Sequence, residues 1–207
     1  MNGLLFPGQG SQAVGMGKEL YDKLSEARRL LEKANDILGY DLKEIMFEGP
    51  QEKLSDTRYA QPAIYTCSAM YLEKVKAEGL EFHYTAGHSL GEYDALLAAG
   101  IFSFEEGLKL VSQRGAAMSR MNGKGMMAAV MGLTEKELKE YMMPQVVMAN
   151  LNSKTQIVIS GETDGIKAIE ETLGGREDIK IKKLRVSAAF HSPQMEEAEA
   201  VMKPIIS

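Results

Sequence analysis

The chain has 207 residues, 44% hydrophobic and 26% charged, a globular composition that excludes a disordered, collagenous or disulfide-dense scaffold. Its 24 Lys and Arg against 29 Asp and Glu leave a net charge of −5, with no basic excess to neutralise a phosphate backbone, so nucleic acid is not an expected partner. One cysteine, Cys67, cannot close an internal disulfide, no apolar run reaches the length of a membrane span, and Met1 to Pro7 lacks a basic leader region; the expectation is a cytoplasmic protein without membrane contact.

In chain order, Leu4-Leu5-Phe6 is a short apolar run stopped by Pro7, as a buried strand would be, and Gly8-Gln9-Gly10-Ser11-Gln12 follows as a loop. From about Lys18 to Leu38, Leu20, Leu24, Ala27, Leu31 and Ala34 recur at intervals of three and four, predicting an amphipathic helix that ends before Gly39. The polar stretch through Glu48-Gly49-Pro50 reads as loop, and Ala63 to Val75, after Gln61-Pro62, as helix. Phe82 to Ala86 is a predicted strand leading into Gly87, Glu92 to Ala99 a helix closed by Gly100, and Ser103 to Glu106 a capping box opening a helix towards Met121. Beyond the turn Asn122 to Gly125 come strand runs at 126–131, 145–149, 156–159 and 179–186, with helical patterns after Thr134 and Thr163. Strand, helix, strand, strand, helix, strand is a ferredoxin-like order. The predicted fold is therefore α/β, with an α/β-hydrolase-like core at 1–121 and 188–207 and a ferredoxin-like subdomain inserted at 122–187. A final amphipathic helix follows Phe190-His191-Ser192-Pro193, and neither repeats nor low-complexity tracts occur.

Gly87-His88-Ser89-Leu90-Gly91 fits G-x-S-x-G between a predicted strand and helix, the setting of a nucleophile elbow. The glycines permit the sharp turn, Ser89 projects over the sheet end, and the Leu90 N–H at the helix start can face an oxyanion. The base for Ser89 is expected to be His191, between a strand and a helix start, with a satisfied structural histidine as the bland alternative. His83 and His88 are read as structural, because strand alternation and elbow geometry turn them away. Arg114 shares a helical face with Val111 and Met118, so its guanidinium needs an anion there unless the side chain snorkels out to solvent: either a core glutamate or a substrate carboxylate gripped by the planar fork. Three histidines and one cysteine without zinc spacing, and no HExxH, argue against a metal site. Gly8-x-Gly10-x-x-Ala13 formally matches a dinucleotide fingerprint. About twenty residues on, however, stand Arg28 and Arg29 within a helical pattern instead of an acidic strand end. The same loop could supply the Gln9 N–H as a second oxyanion donor.

Several motifs in order then make the chain resemble the malonyl-CoA:acyl carrier protein transacylases, including those serving polyketide synthases: Phe6 to Gln12, Gln61-Pro62-Ala63, Gly87 to Tyr93, Gln113-Arg114-Gly115, Asn150 to Ser153, Ile159-Ser160-Gly161 and Val186 to Pro193. The resemblance implies Ser89 as nucleophile, His191 as general base and acid, Arg114 as ligand of the malonyl carboxylate, Gln9 and Leu90 as oxyanion amides, and Gln61 and Asn150 as pocket residues. Phe190, before the histidine, resembles the malonyl-selective kind, where a ring crowds an α-methyl group. It also implies a ping-pong reaction with a coenzyme A thioester as substrate, acyl carrier protein as partner and no permanently bound cofactor. The family pattern continues past Ser207 through a C-terminal portion that completes the sheet and orients the histidine. The expectation is an open sheet edge and apolar surface, covered by a second chain or belonging to a truncated, inactive carrier-binding form. A thioester hydrolase using the same serine is the rival enzyme. Lys180 to Arg185 reads as a solvated strand edge, or as a basic patch for an acidic carrier protein.

Overall fold

A computed structural model describes residues 1–184 and 186–206. They form two compact units, Met1–Ala116 with Ile206, and Ala117–Ile205.

In the first unit, β1 (Gly3–Phe6) pairs in parallel with β2 (Tyr84–Gly87), setting Phe6 opposite Gly87. Among the described residues these strands make a two-stranded sheet, and Leu5 and Tyr84 stand exposed on it. The helical pattern read over 18–38 is two helices, α1 (Lys18–Lys23) and α2 (Ser25–Leu38), because Leu24 takes an extended conformation between them. The break still leaves Leu20 on one helix and Ala27, Leu31 and Ala34 on the other facing the core. Gly39 ends α2 in the left-handed conformation, where glycine pays no Cβ penalty. The loop around Gly49 is shorter than the sequence suggests: α3 (Leu42–Phe47) precedes it, capped by Asp41, and α4 (Gln51–Ser55) follows.

Helix α5 (Thr57–Ala77) begins six residues before the predicted Ala63, with Asp56 accepting from the Arg58 N–H at its start. Pro62 lies inside its second turn and forfeits one backbone hydrogen bond. Every residue from Ala60 to Met70 is buried, and that burial outweighs the lost bond. The helix is therefore the axle of this unit, with α2, α3 and α6 (Gly91–Ala98) packed on it. Cys67, on α5, is buried, and burial pushes its thiol up to about 12, so it is no rival nucleophile at neutral pH.

Asp94 on α6 is 1% exposed, and among the described residues no group meets hydrogen-bond geometry with either carboxyl oxygen. The nearby Ser68 hydroxyl favours ionisation weakly, but desolvation dominates and pushes the carboxyl up to about 9. An unfolded carboxyl ionises near 3.8, so between those values the folded chain holds a proton that the unfolded chain releases. The stability from the neutral carboxyl is complete at acid pH and is lost as pH rises through that window. Asp94→Asn keeps the shape without the proton. The melting temperature of the wild type is expected to fall by several degrees more than that of Asp94→Asn between pH 5 and pH 9; parallel curves would contradict a buried neutral carboxyl.

The second unit carries β3 (Met126–Met131), α8 (Glu135–Lys139), β4 (Val146–Ser153), β5 (Gln156–Gly161), α9 (Thr163–Leu173) and β6 (Lys180–Lys183). They form one antiparallel sheet in the order β4-β5-β3-β6. Strand β3 reads as an unbroken apolar run because both faces are covered: Met126, Ala128 and Val130 pack towards α8 and α9, and Met127 and Ala129 pack with Val158, Phe190 and Ala198. A Thr134–Glu137 capping box opens α8. The last strand is shorter than the predicted 179–186, and Arg185, within that range, lies outside the described residues. After it come a 3₁₀ turn at Pro193–Met195 and α10 (Glu196–Ile206). Residues 188–205 group with this second unit, through Phe190 and Ala198, whereas the sequence reading placed them with the larger core.

Candidate active site

The strand-to-helix turn after β2 is built by two glycines. A Cβ on Gly87 would overlap the Gly91 backbone, and one on Gly91 would overlap the Phe6 carbonyl. Only glycine lets the start of α6 close down on the ends of β1 and β2. Ser89, at the apex, is held at φ 53, a left-handed conformation that a non-glycine residue adopts at a cost. The Leu90 N–H lies at the N-terminus of α6, where the first N–H groups have no intrahelical acceptor and the helix dipole favours negative charge.

Arg114, on α7 (Phe104–Ser119), points into this turn. Its Nη2 donates to Ser89 Oγ at 3.1 Å and its Nη1 to Gln61 Oε1 at 2.9 Å. The guanidinium also lies over the Tyr93 ring, 5.8 Å from the centroid. Desolvation lowers its pKa, partly offset by Tyr93 and Glu92, yet an arginine stays charged in proteins. Among the described residues Arg114 makes no ion pair, so the core-glutamate alternative is not the one adopted. Gln61 is fully buried on α5. On the first loop, the Gln9 side chain donates to Thr57 Oγ1 at 3.0 Å. Gly8 packs so closely on the elbow that a Cβ there would lie 2.6 Å from the His88 carbonyl oxygen. The first unit thus gathers Ser89, Leu90, Arg114, Gln61 and the Gln9 loop around one turn.

His83 immediately precedes β2, and its N–H donates to the Asn2 carbonyl.

Within the second unit, His191 also has a positive φ, 57, and follows the buried Phe190. The turn that carries it is pinned from several sides. Ser160 Oγ on β5 donates to the Phe190 carbonyl at 2.6 Å, Ser192 Oγ to the Ala189 carbonyl at 2.6 Å, and the Ala189 N–H to the Lys124 carbonyl at 2.9 Å. Asn150 is half-buried on β4 opposite Val158, next to an irregularity in the strand register. Lys180, Lys182 and Lys183 are exposed on the edge strand β6.

The sequence reading assigned no role in the site to Thr57, nor to Tyr93 and Ser160, although the last two lie within motifs that carry the resemblance. A polar residue inside an apolar strand was the available signal for Ser160, within Ile157 to Gly161; for Thr57 there was none. Among the described residues no cluster of three metal-ligating side chains occurs, and no helix is long and apolar enough to cross a membrane.

The structure thus places a glycine-framed serine on a strand-to-helix turn, with an arginine fork aimed at it, in an α/β protein. The acyl transferase domain family matches residues 4–206, and the chain belongs to it. Among its relatives is the polyketide biosynthesis malonyl CoA-acyl carrier protein transacylase PksC of Bacillus subtilis, 46% identical over 203 residues that cover 94% of this chain and 68% of the relative. The crystal structure of a malonyl CoA-acyl carrier protein transacylase from Clostridium perfringens superposes with a TM-score of 0.93 at 37% identity, covering 99% of this chain and 66% of that one. A third, at TM-score 0.90 and 32% identity, covering 99% of this chain and 69% of that one, is a type II polyketide synthase acyl-carrier protein in complex with its malonyl-transacylase. The chain spans about two thirds of the length of these relatives.

Proposed function

We propose that the chain transfers a malonyl group from malonyl-CoA to the phosphopantetheine thiol of acyl carrier protein through an acyl-serine on Ser89. The observation that carries this reading is the Arg114 guanidinium: desolvated, without an ion pair among the described residues, and hydrogen-bonded to Ser89 Oγ. A buried cation next to a nucleophile calls for a substrate anion, and a malonyl thioester places its free carboxylate a few bonds from the carbonyl under attack.

In this mechanism His191 removes the Ser89 proton as Oγ attacks the thioester carbonyl. The Gln9 and Leu90 N–H groups hold the resulting oxyanion, and collapse breaks the C–S bond, with His191 returning the proton to the coenzyme A thiolate. The carrier-protein thiol then attacks acyl-Ser89 with His191 again as base, and Ser89 regains its proton. Gln61 orients Arg114 through the Nη1 bond, Asn150 lines the pocket, and the Phe190 ring disfavours an α-branched acyl group. No permanently bound cofactor takes part. The relatives named above, malonyl transacylases and a carrier-protein complex, support the substrate and the partner. A cytoplasmic location accords with this chemistry.

The finer fold reading belongs with it. An α/β-hydrolase-like core would bear Ser89 on its strand-to-helix turn, and 122–187 would be a ferredoxin-like subdomain, supported by the antiparallel order β4-β5-β3-β6 with α8 and α9 as the crossovers.

Brief exposure to malonyl-CoA followed by intact-mass measurement is expected to add one malonyl group, which holo acyl carrier protein then removes onto its own thiol. An adduct discharged to water instead would establish the hydrolase, and absence of any adduct would overturn the transferase reading for this chain.

A further inference from the structure

Thr57 and Gln61 stand one turn apart on α5, 1% and 0% exposed. Polar side chains at that depth are retained with partners. Gln61 accepts from Arg114, and Thr57 accepts from Gln9. One face of α5 therefore holds both the arginine fork and the loop Gly8 to Gln12.

That loop has little else to hold it. Its other hydrogen bonds are internal: Ser11 Oγ to the Gly8 carbonyl at 2.9 Å, and the Gly10 N–H to Gln12 Oε1 at 2.7 Å. Among the described residues, Gln9 to Thr57 is the one hydrogen bond linking 8–12 to another element. With Gly10 at φ 110 in its middle, the loop is intrinsically permissive. Thr57, in contrast, is buried and closely packed. It occupies the first helical position after the Asp56 cap, and its carbonyl lies so near α7 that a Cβ on Gly115 would come within 2.8 Å of it.

We propose that Thr57 is a positioning residue for acyl transfer: its hydroxyl anchors the Gln9 side chain to α5 and thereby sets the Gln9 backbone N–H where the oxyanion forms. The inference rests on the proposed role of that N–H. Oxyanion donors act only at about 2.7–3.1 Å from the developing charge, so a loop free to drift would stabilise the substrate carbonyl and the transition state alike. The Arg114–Gln61 pair is untouched by this anchor, so binding of the malonyl carboxylate should be separable from it.

Thr57→Val keeps the shape and removes the acceptor; Thr57→Ser keeps the acceptor. Two readouts decide the matter. In malonyl transfer, Thr57→Val is expected to lower kcat by about 10- to 100-fold, less than outright loss of an oxyanion donor. KM for malonyl-CoA should change little, and Thr57→Ser should restore most of the rate. In hydrogen exchange of the unliganded protein, the Gly10 amide, which donates to Gln12 Oε1, is expected to exchange at least ~10-fold faster in Thr57→Val, corresponding to about 1.4 kcal/mol of lost protection, with Thr57→Ser like the wild type. Gln9→Met removes the same bond from the other end without removing the backbone donor, and should reproduce both effects if Thr57→Val does not fold. Unchanged exchange in Thr57→Val or Gln9→Met overturns the anchor. Faster exchange with unchanged kcat overturns its catalytic role. A wild type that forms no malonyl adduct overturns the proposed function, while exchange still decides whether Thr57 holds the loop.

Discussion

Ser89→Ala is expected to abolish the malonyl adduct and to lower transfer by about 10⁴-fold or more, the scale on which loss of a serine nucleophile is felt when base and oxyanion hole remain. Alanine at position 89 adopts the left-handed φ of 53 at a cost similar to that of serine. It leaves Gly87 and Gly91, which shape the turn, in place. The variant should therefore melt within a few degrees of the wild type, which separates lost chemistry from lost structure. The change also removes the acceptor of one Arg114 hydrogen bond, while the bond from Nη1 to Gln61 Oε1 remains. His191→Ala should slow the same step to a comparable degree, since nucleophile and base act as a unit. An adduct that persists in Ser89→Ala would move the acyl group to another residue and dismantle the mechanism.

Arg114→Ala is the second large effect, and its signature is a reversal of preference. In the wild type an acetyl thioester would leave the desolvated guanidinium facing the acyl group without a counter-charge, whereas malonyl supplies one. Truncating one partner of a buried, hydrogen-bonded charge pair costs about 2–5 kcal/mol, so kcat/KM for malonyl-CoA should fall by roughly 30- to several-thousand-fold. Acetyl transfer should rise at the same time, because the penalty it met has gone. Arg114→Lys should recover little, since a point charge cannot bond Gln61 and a carboxylate together as the planar fork does. A competition assay with both thioesters in one tube reads the ratio directly, and an unchanged ratio would remove Arg114 from the substrate site.

Three deeply buried polar groups of the first unit, Thr57, Gln61 and Asp94, illustrate different uses of burial. Thr57 and Gln61 are satisfied by side chains from other elements, so they transmit position. Asp94, on the helix that follows the Ser89 turn, has no group in hydrogen-bond geometry with either oxygen among the described residues and is kept neutral instead. Its cost is met by the packing of α6 on α5, and it appears as pH dependence of stability, not as geometry at the nucleophile.

What the sequence determined by itself was local. Glycines flanking Ser89 announce a turn too tight for any Cβ, the period-free apolar run at 126–131 announces a strand covered on both faces, and the Ser103 and Thr134 capping boxes announce helix starts, because each signal lies within a few residues of the structure it dictates. Arg114 was legible as an inward-facing cation, since helical spacing alone gives the face. Tertiary structure decided the rest. Helix α5 runs through Pro62, and starts at Thr57, because burial along its whole length outweighs a local rule. The partners of Arg114 and the acceptor for Gln9 each depend on residues between 25 and 53 positions away, and the neutral state of Asp94 on the packing that buries it. Periodicity says which way a side chain faces; only the packing of separate elements says what it meets there.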